Sequence, residues 1–352
     1  MRAAVMEGIR QPLVVRDVPD PTPPEKGVVV RVEANGICRT DWHLWMGDWS
    51  WIGLQLPLPH VLGHEFCGVI DEVGPGVTRW RRGDRVLVPF SMGEGTCEWC
   101  QSGHHNICDT MLTPGVVSWG GYGRRAGVPF ADVNLVPLPE SIGFVEAASM
   151  GCRYMTSFHG LVDQAKVGAG EWVAVHGCGG VGLSAVQIAT ALGACVIAVD
   201  VADEKLAFAK ELGAVATVNA TQGDPAAAIL ELTGGGAHVS IDALGIAATC
   251  RNSVNSLRKR GRHLQIGLTT QAEQGEVALP IDLIVLKEAT IIGSCGMQAP
   301  RFGAMLQMVE AGKLRPGKLV HKTIALEEAG QVLASMDRFA TVGVNVIDRY
   351  GS

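Results

Sequence analysis

Glu171-Trp172-Val173-Ala174-Val175-His176-Gly177-Cys178-Gly179-Gly180-Val181-Gly182 is the stretch that decides the fold. A short apolar run leads straight into glycines spaced G-x-G-x-x-G, where a strand gives way to a helix. Gly177 permits a tight turn, Gly179 a close approach by a pyrophosphate, and Gly182 close packing of helix on strand. With Gly180 and Val181 they open a helix whose N-terminus suits a phosphate. The next strand ends at Asp200, at the distance expected for a carboxylate that accepts both ribose hydroxyls. An acid there repels a 2′-phosphate, and Val201 follows rather than an arginine, so NAD is favoured over NADP. Lys205 is either a ribose contact or an exposed helix lysine.

Alternation continues on both sides of this segment. A helix is expected from about Val181 to Leu192, a strand over Cys195–Val199 and a helix from Asp203 to Leu212. A strand over His238–Asp242, a helix from Ala247 to Leu257 and a strand over His263–Ile266 follow. This pattern predicts an α/β fold with a doubly wound parallel sheet. Before it, short β-like runs at Val28–Val32, Gly68–Val73 and Arg85–Val88 are separated by turn signals, which predicts a compact, mostly β domain. From about residue 296 a helix, a second helix and a strand over Val342–Ile347 return to that first domain. A chain of 352 residues fits two domains.

The net charge of −6 gives no electrostatic case for nucleic acid. The basic cluster Arg258-Lys259-Arg260 with Arg262 reads as a solvated helix end. No apolar run is long enough to span a bilayer, and the N-terminal residues lack the apolar stretch of a secretion signal. Several of the ten cysteines stand at metal-binding spacing, which points to a reducing cytoplasm rather than to disulfides.

Cys38-Arg39-Thr40-Asp41-Trp42-His43, followed by Gly63-His64-Glu65, puts a thiol, a hydroxyl, carboxylates and imidazoles into one short span. A catalytic zinc site needs such a set, with three protein ligands and one open position. Cys152, in Met150-Gly151-Cys152-Arg153, is the candidate for the ligand supplied from elsewhere.

Taken together, Cys38-x-Thr40-Asp41-x-His43, Gly63-His64-Glu65, the cysteine lobe over 94–108, Cys152 with Thr156, and Gly177 to Asp200 resemble the zinc-dependent medium-chain alcohol dehydrogenases. The resemblance covers essentially the whole chain. It implies a GroES-like catalytic domain over 1–153 and 296–352 around a Rossmann domain over 154–295. It further implies Cys38, His64 and Cys152 as ligands of a catalytic zinc, with Asp41 bonded to a ligand imidazole and Glu65 near the metal. Thr40 would bind the alcohol oxygen and His43 would end a proton relay. Arg39 would pair with the pyrophosphate, and Thr156 and Val181 would flank the nicotinamide.

The lobe departs from the family. Four cysteines are usual there, whereas this chain has Cys97, Cys100 and Cys108, with Glu94 in the first position. Carboxylate oxygen is an acceptable zinc ligand, so a second, structural zinc is expected; His104 and His105 fit the spacing poorly.

The resemblance also implies hydride transfer between NAD and a small alcohol or carbonyl substrate, and a homo-oligomer, a tetramer rather than a dimer. Phe90 matches a family position in the substrate channel. Trp51 and Trp119, with Trp49, either line the same pocket or serve as core and subunit contacts; an aromatic lining suits apolar, aromatic or long-chain alcohols. A polyol dehydrogenase on the same scaffold is the alternative. A non-catalytic NAD-binding protein is a further one, against which the full set of ligands and relay residues argues.

Overall fold

Val173, Ala174 and Val175 are completely buried, because Trp172–His176 is a central strand of a six-stranded parallel sheet. The spatial order is Ala216–Asn219, Cys195–Asp200, Trp172–His176, Ala237–Asp242, Leu257–Gln265, Thr290–Gly293. Central strands covered on both faces carry nearly continuous apolar runs, as these do. The strand order reverses at Trp172–His176: the next strand in sequence lies to one side and Ala237–Asp242 to the other. Loops leaving the C-terminal ends of these strands therefore diverge, and such a reversal is where this class of sheet binds ligands.

The computed structural model describes residues 1–338 and 341–351. They form two compact units: Thr156–Cys295, which holds the parallel sheet, and Met1–Met155 together with the chain from Gly296 onward. The unit formed by Met1–Met155 and the chain from Gly296 onward is built on a seven-stranded mixed sheet. Its order is Val320–Ala325, Val344–Arg349, Val28–Ile37, Phe66–Val73, Arg85–Val88, Val136–Pro137, with Arg125–Val128 pairing with Val28–Ile37 off this path. Strand Val344–Arg349 pairs antiparallel with the far end of Val28–Ile37, Asn345 opposite Ile37. Its Ile347 shares one core with Val30, Phe66, Tyr122 and Leu333.

The structure corrects two expectations. Arg258-Lys259-Arg260 and Arg262 do not end a helix, which stops at Asn255; they lie on the strand Leu257–Gln265. Residues 258–261 bulge out of register there, with Arg260 at φ 57°. The charges are dispersed over local partners: Arg262 on Glu171 at 2.5 Å, Arg258 against His238, and Arg260 near Glu288 at 3.9 Å. A strand, Val320–Ala325, stands between the two C-terminal helices Phe302–Glu310 and Ala329–Ser335. The aromatic stretch after Cys38 holds the helix Arg39–Met46 and a 3₁₀ turn, Ser50–Ile52. No helix among the described residues is long and apolar enough to cross a membrane.

The fingerprint glycines differ in what they permit. Gly177 has φ 94°, a conformation costly for other residues. A Cβ on Gly182 would stand 1.8 Å from the Gly177 carbonyl oxygen, whereas one on Gly179 would meet nothing within 4 Å. We therefore expect Gly182→Ala to destabilise the parallel-sheet unit by about 3 kcal/mol in calorimetric unfolding, and Gly179→Ala to leave it unchanged. Equal unfolding temperatures for the two variants would contradict this packing account.

Candidate active site and metal centres

Cys38 is the N-cap of helix Arg39–Met46, and Asp41, in the first turn, accepts from the Cys38 backbone N–H at 2.9 Å. The same carboxylate is fully buried and accepts from His64 Nδ1 at 2.9 Å, the Gly63 N–H at 3.2 Å and the Tyr122 hydroxyl at 3.3 Å. A carboxylate can only accept, so the bond to Nδ1 fixes the His64 tautomer and leaves Nε2 as the ligating atom. Nε2 is buried and has no hydrogen-bond partner among the described residues.

Cys152 lies on a π-helical turn, Met150–Tyr154, a local distortion frequent at functional positions. It brings its sulfur to the other two residues: the ligand atoms of Cys38, His64 and Cys152 lie within 4.8 Å of one another. The hydrogen bond from Cys152 draws the Cys38 thiol well below its usual range against the pull of burial, with Arg153 and His64 adding to the effect. Cys152 is correspondingly pushed well above its own. Burial opposes charge on His64, but Asp41 and the Cys38 sulfur outweigh it and raise its pKa. Two sulfurs and an orphaned imidazole nitrogen, held by a buried carboxylate, fit a zinc site with one open position.

Glu65 is completely buried. Its carboxylate accepts from the backbone N–H and the Nε of Arg153, both at 3.0 Å, and pairs with Nη2. Burial pushes Glu65 up to about 7, and Arg153 opposes that rise. Arg153 and Tyr122 were not singled out from sequence. Arg153 is adjacent to Cys152 and so was in view, but only the fold shows which carboxylate it meets.

Thr40 is half-buried on the first helical turn. His43 Nδ1 is 2.6 Å from Asp48 Oδ2, and Trp49 stacks on the ring at 4.7 Å between centroids. The Arg39 guanidinium lies 3.5 Å over Trp42 and donates to the Met336 carbonyl. Burial lowers its pKa to about 10, leaving it cationic at neutral pH. Phe90 presents its ring edge-on to His64 at 6.2 Å. Trp49 and Trp119 pack with the core of this unit, while Trp51 is half-buried with its Nε1 unpartnered among the described residues.

In the other unit, Asp200 accepts from the Cys178 N–H at 2.7 Å and from the Val201 and Ala202 N–H groups at 2.9 and 3.1 Å. This ties the end of its strand to the glycine turn. Ser157 donates to the Val181 carbonyl at 2.8 Å, which binds the Thr156 segment to the start of the glycine helix. Lys205 is buried, against the exposed-lysine alternative.

The second cluster joins Cys97, Cys100 and Cys108, again with ligand atoms within 4.8 Å of one another. Glu94 is not in that group; its Oε1 accepts from the Thr96 hydroxyl at 2.9 Å. His104 contacts Ser102, and His105 accepts from the Ala299 N–H.

Residues 24–140 match the alcohol dehydrogenase GroES-like domain, and residues 180–311 the zinc-binding dehydrogenase family. An alcohol dehydrogenase of Geobacillus stearothermophilus is 38% identical over 90% of each chain. An NAD-dependent alcohol dehydrogenase of Sulfurisphaera tokodaii is 34% identical over 99% of each. The benzyl alcohol dehydrogenase of Acinetobacter calcoaceticus superposes with a TM-score of 0.88 at 26% identity, covering 99% of both chains. The chain belongs to the zinc-dependent medium-chain dehydrogenase family and is an oxidoreductase of that family.

Metal analysis checks the two donor sets separately. We expect zinc in both, with Cys152→Ala losing one equivalent and Cys97→Ala the other. Glu94→Ala should make the second equivalent easier for a chelator to remove, if that carboxylate completes the set of three sulfurs. Equal retention by Glu94→Ala and the unaltered chain would exclude Glu94 as a ligand.

Proposed function

We propose that the protein is an NAD- and zinc-dependent alcohol dehydrogenase acting on apolar alcohols, aromatic or long-chain, and the corresponding aldehydes and ketones. The observation that carries this reading is the Cys38–His64–Cys152 group, its Cys38 and His64 buried, with the orphaned His64 Nε2. Zinc held there supplies a Lewis acid toward the substrate oxygen, and NAD supplies the hydride acceptor. Asp41 keeps His64 in the ligating tautomer. Thr40 binds the substrate oxygen and passes its proton toward His43, whose titration range suits a relay. Arg153 compensates the charge of Glu65 beneath the ligands.

The open space on Gly179 leaves room for a pyrophosphate against the backbone. Thr156 and Val181 flank the nicotinamide. Asp200 and Lys205 hold the ribose, and the acid selects NAD. The apolar substrate class is supported by Phe90 edge-on to His64 and by the name of the Acinetobacter relative.

We further propose a homo-oligomer, a tetramer. Strand Thr290–Gly293 ends the parallel sheet with an open edge, and Ile281, Val285, Leu286 and Ile291 are exposed near it in the sequence, Leu286 by 78%. Such a surface favours burial against another subunit. Light scattering should give the mass of four chains, and Leu286→Glu should lower it. A monomeric mass for the unaltered protein would reject the assembly.

The activity test is NADH formation from benzyl, hexyl, secondary aliphatic and polyol substrates, with NADP in parallel. Turnover of benzyl and hexyl alcohols with NAD is expected, together with its loss in a folded Cys38→Ala variant. Turnover of the polyol alone would overturn the apolar pocket. Substantial activity in Cys38→Ala would overturn the ligand assignment.

A further inference from the structure

Helix Arg39–Met46 stops at Gly47, which adopts φ 70° and donates to the His43 and Leu44 carbonyls. That cap folds the chain back immediately after the helix. Asp48 then lies beside the residue one turn earlier: its N–H donates to the His43 carbonyl at 2.9 Å, and its Oδ2 meets His43 Nδ1 at 2.6 Å. Trp49 follows and stacks on the imidazole, with 14° between the planes, while Trp42 meets the ring edge-on at 5.0 Å. His43 is therefore held through Nδ1 by Asp48, stacked on one face by Trp49 and contacted by Trp42 in a T-shaped arrangement, all from its own helix and the turn that ends it.

We infer that Asp48 is a positioning residue for His43, holding the imidazole by Nδ1 so that Nε2 is its proton-accepting atom. This rests on the relay reading of His43. An ionised carboxylate offers no hydrogen, so Nδ1 must carry one and the lone pair is confined to Nε2. When an alcohol is oxidised, the proton released from its hydroxyl reaches Nε2 and an imidazolium forms. Both ring nitrogens then carry hydrogen, and the carboxylate beside Nδ1 compensates the new charge. Loss of the Nε2 proton to water restores the starting tautomer.

The charged groups acting on His43 divide in sign. Burial is the largest influence and disfavours the imidazolium; the Arg39 cation, stacked over Trp42, acts in the same direction. The Asp48 carboxylate and the Cys38 sulfur act against them. Without Asp48 the ring would lose its tautomeric bias and its principal compensating charge. The acid limb of the activity profile should accordingly move to lower pH while the plateau falls.

The test is a double-mutant cycle with a spectroscopic arm. The pH dependence of kcat/KM for alcohol oxidation is measured with Asp48→Ala, Asp48→Asn, Asp48→Glu, His43→Ala and the Asp48→Ala/His43→Ala pair, all checked for zinc content and unfolding temperature. Asp48→Ala should lower kcat/KM about tenfold and shift the acid limb downward, Asp48→Glu should recover part of both, and Asp48→Ala should have no further effect once His43 is alanine. An undiminished effect in the His43→Ala background overturns the inference. In parallel, ¹⁵N spectra of the imidazole should show the hydrogen on Nδ1 in the unaltered protein and a mixed population in Asp48→Ala and Asp48→Asn. An unchanged tautomer in both variants overturns the inference independently of activity. If His43→Ala leaves the pH profile untouched while the tautomer shifts as expected, the relay reading fails and the positioning of the ring by Asp48 stands.

Discussion

One buried carboxylate organises the catalytic half of this molecule. Asp41 has no exposed surface, and its oxygens serve four donors from three segments: the helix that begins at Cys38, the Gly63–His64 turn and Tyr122. A buried acid needs such compensation, since an isolated ion in the interior would be neutralised or expelled. The hydrogen bonds that satisfy the carboxylate also fix the His64 imidazole and cap the helix that begins at Cys38. Placing the donor set and stabilising the local fold are thus one interaction.

A second buried ion pair, Glu65 with Arg153, links the other side of the same group. Glu65 follows the ligand His64 and Arg153 follows the ligand Cys152, so the pair joins the two ligand-bearing segments from behind. Its backbone bond, from the Arg153 N–H to Glu65, lies within the π-helical turn that distorts the chain around Cys152. The wide turn and the buried acid together explain how an otherwise ordinary helical segment delivers one sulfur to a site whose other ligands lie more than eighty positions earlier.

Much of this was legible in the sequence because glycine geometry and ligand chemistry leave few alternatives. Gly182 has a carbonyl oxygen where a side chain would be, so its identity is forced by packing, and the strand and helix around it followed from the apolar run. The grouping of Cys38, His64 and Cys152 was legible because thiol and imidazole side chains in such a pattern have few joint uses. What escaped depended on tertiary partners. Tyr122 reaches Asp41 from eighty-one positions away. Arg258 to Gly261 resembles a helix end by composition, yet neighbouring parallel strands impose a strand with a bulge. The contact of Glu94 with the Thr96 hydroxyl, two residues on, depends on a local turn that spacing does not reveal. Helix Arg39–Met46 was obscured by its aromatic residues, which carry weak helical preference; its cap at Gly47 was the available signal.

The placement of strand Val344–Arg349 has a consequence for how the mixed sheet closes. This strand lies between Val320–Ala325 and Val28–Ile37, so the sheet joins segments that are far apart in the sequence. Along Asn35–Ile37, next to Cys38, the edge of Val28–Ile37 is paired by that distant strand. The six strands of the Thr156–Cys295 unit, by contrast, all come from one continuous stretch of chain. Pairings between distant segments carry a larger loop-closure cost than pairings within one stretch, so the two sheets differ in how local their closure is.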